Sequence, residues 1–198
     1  MNNKFVKEYF SIPNIMGYFR LILAAGYVWL FVNALHGGAY WPVIVVILIS
    51  GLTDFFDGKI ARKRNLVTDF GKFADPLADK ILVLAALLCF VQLGLCDCIA
   101  VIIILFREFA VTSIRLIAAS KGKVVAANIW GKVKTVNQMI AIIAILVFQS
   151  ILNIFPETQV AETAFLISGM VLIWISTIFA IISGVIYIIQ NRHFISEM

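Results

Sequence analysis

A chain of 198 residues that is 62% hydrophobic lies far above the roughly 45 to 50% apolar content of soluble domains. That excludes an ordinary water-soluble globule and points to an integral membrane protein. Lysine and arginine number 16 against 11 acidic residues, for a formal net charge of +5, and where they fall matters more than their sum.

Taken from the start, residues 1–10 set Lys4, Lys7 and Glu8 against Phe5, Val6, Tyr9 and Phe10, a pattern that predicts a short amphipathic helix on the membrane surface. Pro13 then breaks the chain. A hydrocarbon core of about 30 Å needs roughly 20 apolar residues per helix. Segments of that length are predicted at about 14–35, 41–62, 71–94, 98–120, 131–154 and 163–190. The first carries no cleavage site of the signal-peptide kind at its end. No internal repeat, low-complexity stretch or long linker divides them. The predicted architecture is therefore all-α: a bundle of six transmembrane helices, preceded by the amphipathic segment, in one domain over residues 1–198.

The connectors alternate in charge. Residues 36–40, 94–97 and 155–162 hold no lysine or arginine. The opposite side collects Lys4, Lys7, Arg62, Lys63, Arg64, Lys121, Lys123, Lys132, Lys134 and Arg192. By the positive-inside rule both termini face the cytoplasm, together with the junction between the second and third spans.

That junction is where an apolar chain departs from its own composition. Asp54 and Asp57 are at i and i+3, with Gly58 and Ala61 each four residues beyond one of them, so the four share one helical face. After the basic turn, Gly71, Asp75 and Asp79 recur at steps of four. Two facing helices would converge four carboxylates, and such a group raises its members' pKa values unless cations compensate it. Oxygen-only ligands suit Mg²⁺ or Mn²⁺, and a metal pair is the usual clamp for in-line displacement at phosphorus. The small residues leave room for a flat or bulky group, and Arg62 and Lys63 are placed to meet phosphates. The plainer alternative makes the acids helix caps and solvated charges. Pro76 lies inside the third span, where it either kinks the helix or is tolerated near its start.

Basic residues also sit within other spans. Arg20 lies in the first, Arg107 near the middle of the fourth, and Arg115 about two turns further on. Burying Arg107 in lipid is costly, so it should face an interior cavity or pair with an acid, one of the four aspartates being the simplest partner. Glu108 is adjacent and, by helix geometry, is not expected to share its face. Lys132 and Lys134 open the fifth span. With Arg107 and Arg115 they suit an anion pocket for a phosphorylated acceptor, or else they only snorkel and fix topology. Cys89 reads as core, and Cys96 and Cys98 are too close in sequence for a relaxed disulfide. The 3 cysteines and 2 histidines show no zinc-like spacing and give no basis for a histidine-centred triad.

The pattern Asp54-x2-Asp57-Gly58-x2-Ala61-Arg62-x8-Gly71-x3-Asp75-x3-Asp79 resembles, without a departure, the signature of the CDP-alcohol phosphotransferases. Pro13-Asn14 with Arg20, the run GKFADPLADK, Arg107-Glu108-Phe109, Arg115 and GKVKT at 131–135 resemble the bacterial branch that forms phosphatidylglycerol phosphate. Gly17 departs from it, standing where a threonine is common.

The resemblance implies a six-helix transmembrane bundle in the bacterial plasma membrane, commonly dimeric, taking CDP-diacylglycerol as donor and glycerol 3-phosphate as acceptor, with no nucleic-acid partner. It implies that Asp54, Asp57 and Asp75 ligate two divalent metals, with Asp79 also at the metal site and acting as general base. It implies donor contacts from Gly58, Ala61, Arg62 and Gly71, joined by Thr68, Asn14 and Arg20. Other acceptors within the family remain open: inositol phosphate, serine or phosphatidylglycerol. Membrane prenyltransferases also use aspartates and Mg²⁺, but usually in two acid motifs. A cation transporter would need a path to both faces, whereas these acids lie near one.

Overall fold

The computed structural model describes the backbone of residues 12–64, 69–120, 129–155 and 159–191. It describes their side chains except those of 12–14, 16, 54–64, 69–79, 120 and 159–162. The predicted amphipathic segment at 1–10 lies outside the described residues.

Six helices account for nearly all of the described chain: α1 (Ile12–Leu35), α2 (Trp41–Arg64), α3 (Asp69–Gln92), α4 (Cys98–Ser120), α5 (Ile129–Ile154) and α6 (Gln159–Gln190). Among the described residues there is no strand. Pro13 falls in the first turn of α1 instead of before it, which is where a missing N–H costs nothing, because that donor has no intrahelical acceptor anyway. The α3 helix runs through Pro76, which lies beyond its first turn. By length and composition, Gly17–Leu35, Ile129–Ile154 and Thr163–Gln190 can each cross a membrane. The α4 helix has the length but carries Arg107, Glu108 and Arg115 along it. In α2 and α3 the described side chains form the shorter apolar stretches Trp41–Thr53 and Lys80–Gln92.

The chain divides into two compact units, Met1–Cys89 and Phe90–Met198. In the first, α1 packs against α2. Buried positions on α1 recur at steps of three and four, Arg20, Ala24, Tyr27, Phe31 and Ala34, which makes one stripe on a 3.6-residue helix. Tyr27 stacks on Phe31 with centroids 5.9 Å apart, and Phe31 meets the edge of Tyr40 at 5.9 Å. The α1–α2 connection turns at Gly37, whose φ of +97° is a conformation L side chains avoid.

In the second unit α6 packs against both α4 and α5. Near the start of α6, a Cβ on Gly169 would lie 3.1 Å from Ile145 Cγ1 and 4.0 Å from the Leu95 carbonyl oxygen just before α4, while near its end Tyr187 lies beneath Arg115. These contacts make α4 and α6 parallel, with α5 antiparallel to both. That is the order expected of consecutive membrane crossings.

Unlike a soluble bundle, this unit leaves large apolar side chains exposed and buries polar ones beside an apolar core. Large apolar side chains such as Phe106, Ile102, Ile140 and Ile178 are exposed, whereas Lys134, Gln138, Ser176, Thr177, Ser183 and Asn191 are buried. In a bilayer, lipid tails are as apolar as leucine, so helix association depends on close packing and interhelical hydrogen bonds. Small residues on the inward stripe of α6, among them Ala180, Ser183 and Gly184, permit the close approach. Cys89 and Cys96 are buried and Cys98 is exposed, all three as free thiols.

Candidate functional site

The aspartates of the motif fall on helices as their spacing requires. Asp54 and Asp57, with Gly58, Ala61 and Arg62, lie on the C-terminal half of α2, and Gly71, Asp75 and Asp79 lie on the N-terminal half of α3. Both acid pairs thus occupy helical register, i and i+3 on α2 and i and i+4 on α3. Their side chains lie outside the described residues, as does Thr68 altogether. Asn14 opens α1, and its side chain too lies outside the description. Arg20 is buried at 4% exposure, one turn before Ala24 on the inward stripe of α1. Among the described residues no group of three or more His, Cys, Asp or Glu is placed to hold a metal ion. In chemical type, the set Asp54, Asp57, Asp75 and Asp79 fits hard divalent cations, since it offers only carboxylate oxygens.

The second unit shows its polar site in full geometry. Arg107, from the middle of α4, extends its guanidinium between the start of α5 and the end of α6. Its Nε donates to Ser183 Oγ at 3.1 Å, and its Nη1 donates to Glu108 Oε1 at 2.7 Å. Lys134, one turn into α5, donates from Nζ to the same Glu108 oxygen at 2.8 Å. One carboxylate therefore bridges two cations from different helices. Lys134 is 2% exposed, and the Arg107 and Glu108 side chains are 12% and 15% exposed. Charges at that depth persist only when paired and hydrogen-bonded.

This arrangement corrects the expectation for Glu108. Adjacent residues on a helix point about 100° apart, but both side chains are long enough to bend toward the seam with α5 and meet at their ends. Arg107 pairs with its neighbour Glu108; the side chains of the four motif aspartates lie outside the described residues.

Two glycines shape the space around the arginine. A Cβ on Gly184 would stand 3.1 Å from Arg107 Cγ, and one on Gly131 would stand 3.2 Å from Arg107 Nη2. Ser183 is held in turn by donating to the Ala180 carbonyl at 3.1 Å. Further along α4, the exposed Arg115 lies over the Tyr187 ring at 5.6 Å, a cation–π distance. Tyr187 Oη is buried and has no hydrogen-bond partner among the described residues, and the same holds for Gln138 Nε2, one turn beyond Lys134. Lys132 is exposed.

Of the four basic residues singled out in the sequence, the structure thus joins Arg107 and Lys134 through Glu108, sets Arg115 on Tyr187 and leaves Lys132 at the surface. Glu108, Ser183, Gly184 and Tyr187 were not singled out as site residues. For the last three, the available signal was the run of small and polar residues at helical spacing within an otherwise apolar α6.

The chain is a member of the CDP-alcohol phosphatidyltransferase family, whose model matches residues 10–185. It is 39% identical over 198 residues to a CDP-diacylglycerol–glycerol-3-phosphate 3-phosphatidyltransferase of Bacillus subtilis (strain 168), with 92% of this chain and 95% of that relative covered. Proteins of the same name are 32% identical in Wigglesworthia glossinidia brevipalpis, covering 89% of this chain and 92% of the relative, and 36% identical in Rickettsia bellii (strain RML369-C), covering 72% and 75%.

Proposed function

We propose that the protein transfers the phosphatidyl group of CDP-diacylglycerol to glycerol 3-phosphate, giving phosphatidylglycerol phosphate and CMP in phospholipid biosynthesis. The observation that carries this is near full-length similarity to relatives named for that reaction. Family membership through residues 10–185 supports one functional domain spanning both units.

In this reading Asp54, Asp57, Asp75 and Asp79 hold two divalent ions, Mg²⁺ or Mn²⁺. Bound there, the ions supply charge neutralisation for the pyrophosphate and for departing CMP. Gly58, Ala61 and Gly71 give the cytidine and pyrophosphate close approach to helix backbone, with Arg62, Thr68, Asn14 and Arg20 contributing polar contacts. The acceptor's hydroxyl oxygen attacks the phosphorus that bears diacylglycerol, the bond from that phosphorus to the CMP oxygen breaks, and Asp79 takes the hydroxyl proton. Arg107, Arg115, Lys132 and Lys134 are the groups for the acceptor's phosphate. The open Nη2 edge of Arg107 supports that assignment, because an acceptor lacking phosphate would give this cluster less to do.

The test is CMP release by the purified, detergent-solubilised protein with CDP-diacylglycerol and Mg²⁺ or Mn²⁺, each candidate acceptor being supplied separately. Release with glycerol 3-phosphate alone, abolished by chelator, is the expected result. Release with serine instead would reassign the basic cluster, whereas release with inositol phosphate or phosphatidylglycerol would change the acceptor and keep the cluster as a phosphate site. Ion flux in proteoliposomes without CMP release would point to a transporter.

We place the chain in the bacterial plasma membrane as six spans, functioning as a homodimer, with both termini and the active site cytoplasmic. The charge alternation of the connectors supports this orientation, and the parallel run of α4 and α6 fits alternate crossings in either orientation. Cys98, exposed at the start of α4, then faces outward. Beside it, Cys96 is buried, and its thiol is pushed up to about 12 by burial and by the neighbouring Asp97 and Cys98. Since thiolate is the reactive form, a membrane-impermeant maleimide at neutral pH should label Cys98 on intact cells and spare Cys96. Labelling of Cys98 only after permeabilisation would invert the topology.

A further inference from the structure

Arg107, set on the acceptor's phosphate in the proposed reaction, is held on three sides by residues outside the proposed catalytic and binding set. Its Nε edge is taken by Ser183 and its Nη1 by Glu108. Its stem runs beside Gly184, where a side chain would crowd Cγ at 3.1 Å. Nη2 alone has no hydrogen-bond partner among the described residues, and the position next to it is Gly131, where a Cβ would come within 3.2 Å. A guanidinium carries five donors in a rigid fork. Fixing Nε and Nη1 therefore fixes where the Nη2 donors point.

We propose that Ser183, on the closing helix, is a positioning residue for acceptor recognition: it locks the Nε edge of Arg107 so that the Nη2 edge, kept open by Gly131, meets the acceptor's phosphate. This rests on reading Arg107 as a group for that phosphate. Ser183 suits the task because it is itself immobile, accepting from Arg107 while donating to the Ala180 carbonyl, and because it is fully buried. It is also neutral, so replacing it alters the orientation of the arginine without altering the charge of the pocket. Glu108 could not separate those two effects, since it neutralises Lys134 as well.

The experiment is steady-state CMP release by S183A, S183T, G131A and R107Q, with glycerol 3-phosphate and CDP-diacylglycerol varied in turn and thermal stability measured alongside. A hydrogen bond to a charged group contributes about 1.5 to 3 kcal/mol, so S183A is expected to raise the KM for glycerol 3-phosphate roughly tenfold or more. Its KM for CDP-diacylglycerol should stay close to wild type, while its melting temperature falls with the loss of a buried hydrogen bond, so KM is read at a temperature where the variant is folded. S183T, which keeps the hydroxyl, should restore the lower KM, and G131A, which fills the space beside Nη2, should raise it again. If R107Q raises the KM for glycerol 3-phosphate but S183A does not, or S183A raises both KM values alike, the positioning role is overturned and the reading of Arg107 stands. If R107Q leaves that KM unchanged, the reading of Arg107 falls and the role of Ser183 with it.

Discussion

Asp79→Asn is expected to lower kcat for CMP release by about 10²- to 10⁴-fold, the range a positioned general base supplies, while Mn²⁺ binding weakens little. Asp57→Asn is expected to lose both. The distinction follows from place and chemistry. Asp57 stands between Asp54 and Gly58 on α2, within the densest part of the acid set, and neutralising it removes charge where two cations need it most. Asp79 is the last acid on α3, one turn past Asp75. An asparagine there keeps a carbonyl oxygen as a weak ligand but has no site for a proton from the acceptor's hydroxyl. Proximity to cations also keeps an aspartate unprotonated at neutral pH, the state a base requires. Mn²⁺ titration by electron paramagnetic resonance, run beside the CMP assay, separates the two roles. Equal loss of Mn²⁺ affinity in both variants would show that Asp79 is an ordinary ligand and that the proton leaves by another route.

Much of this molecule was legible in the sequence because membrane helices are governed by length and by charge. The six segments between Pro13 and Gln190 became six helices with ends shifted by a few residues, since their boundaries are set by glycine turns and charged connectors that one sequence displays openly. The acid register was legible for the same reason: steps of three and four need nothing but a helix. What the sequence did not yield is the Arg107–Glu108–Lys134 bridge. Helical spacing describes where Cβ atoms point, and it ruled Glu108 out as a partner. The ends of two long side chains are free to converge where a second cation, from another helix, draws the carboxylate toward the same seam. The closing helix hides its polar stripe as well. Ser176, Ala180, Ser183 and Tyr187 lie at steps of three and four within it and are buried, but in so apolar a run their polarity is diluted in any average. Only contact with Arg107 and Arg115 reveals what they do.

The Glu108 bridge carries the largest expected effect on stability. With one oxygen accepting from both Arg107 Nη1 and Lys134 Nζ, Glu108 is the hub of the cluster, so its loss differs in kind from the loss of either cation. Glu108→Ala leaves two like charges facing each other without the carboxylate between them, in a setting where removing one member of a buried pair typically costs about 3 to 5 kcal/mol. Partial exposure of the glutamate places the expected cost near the lower end, about 3 kcal/mol. Lys134→Met is expected to cost less, because Glu108 then keeps Arg107 and the methionine fills the space of the lysine stem. The double variant should be more stable than the sum of the single losses predicts, since removing Lys134 also removes the repulsion that Glu108→Ala creates; contacting charges commonly show such coupling at 0.5 to 3 kcal/mol. Unfolding in mixed micelles measures all three. Should Lys134→Met prove as costly as Glu108→Ala, the lysine and not the carboxylate would be the group that ties α5 to α4.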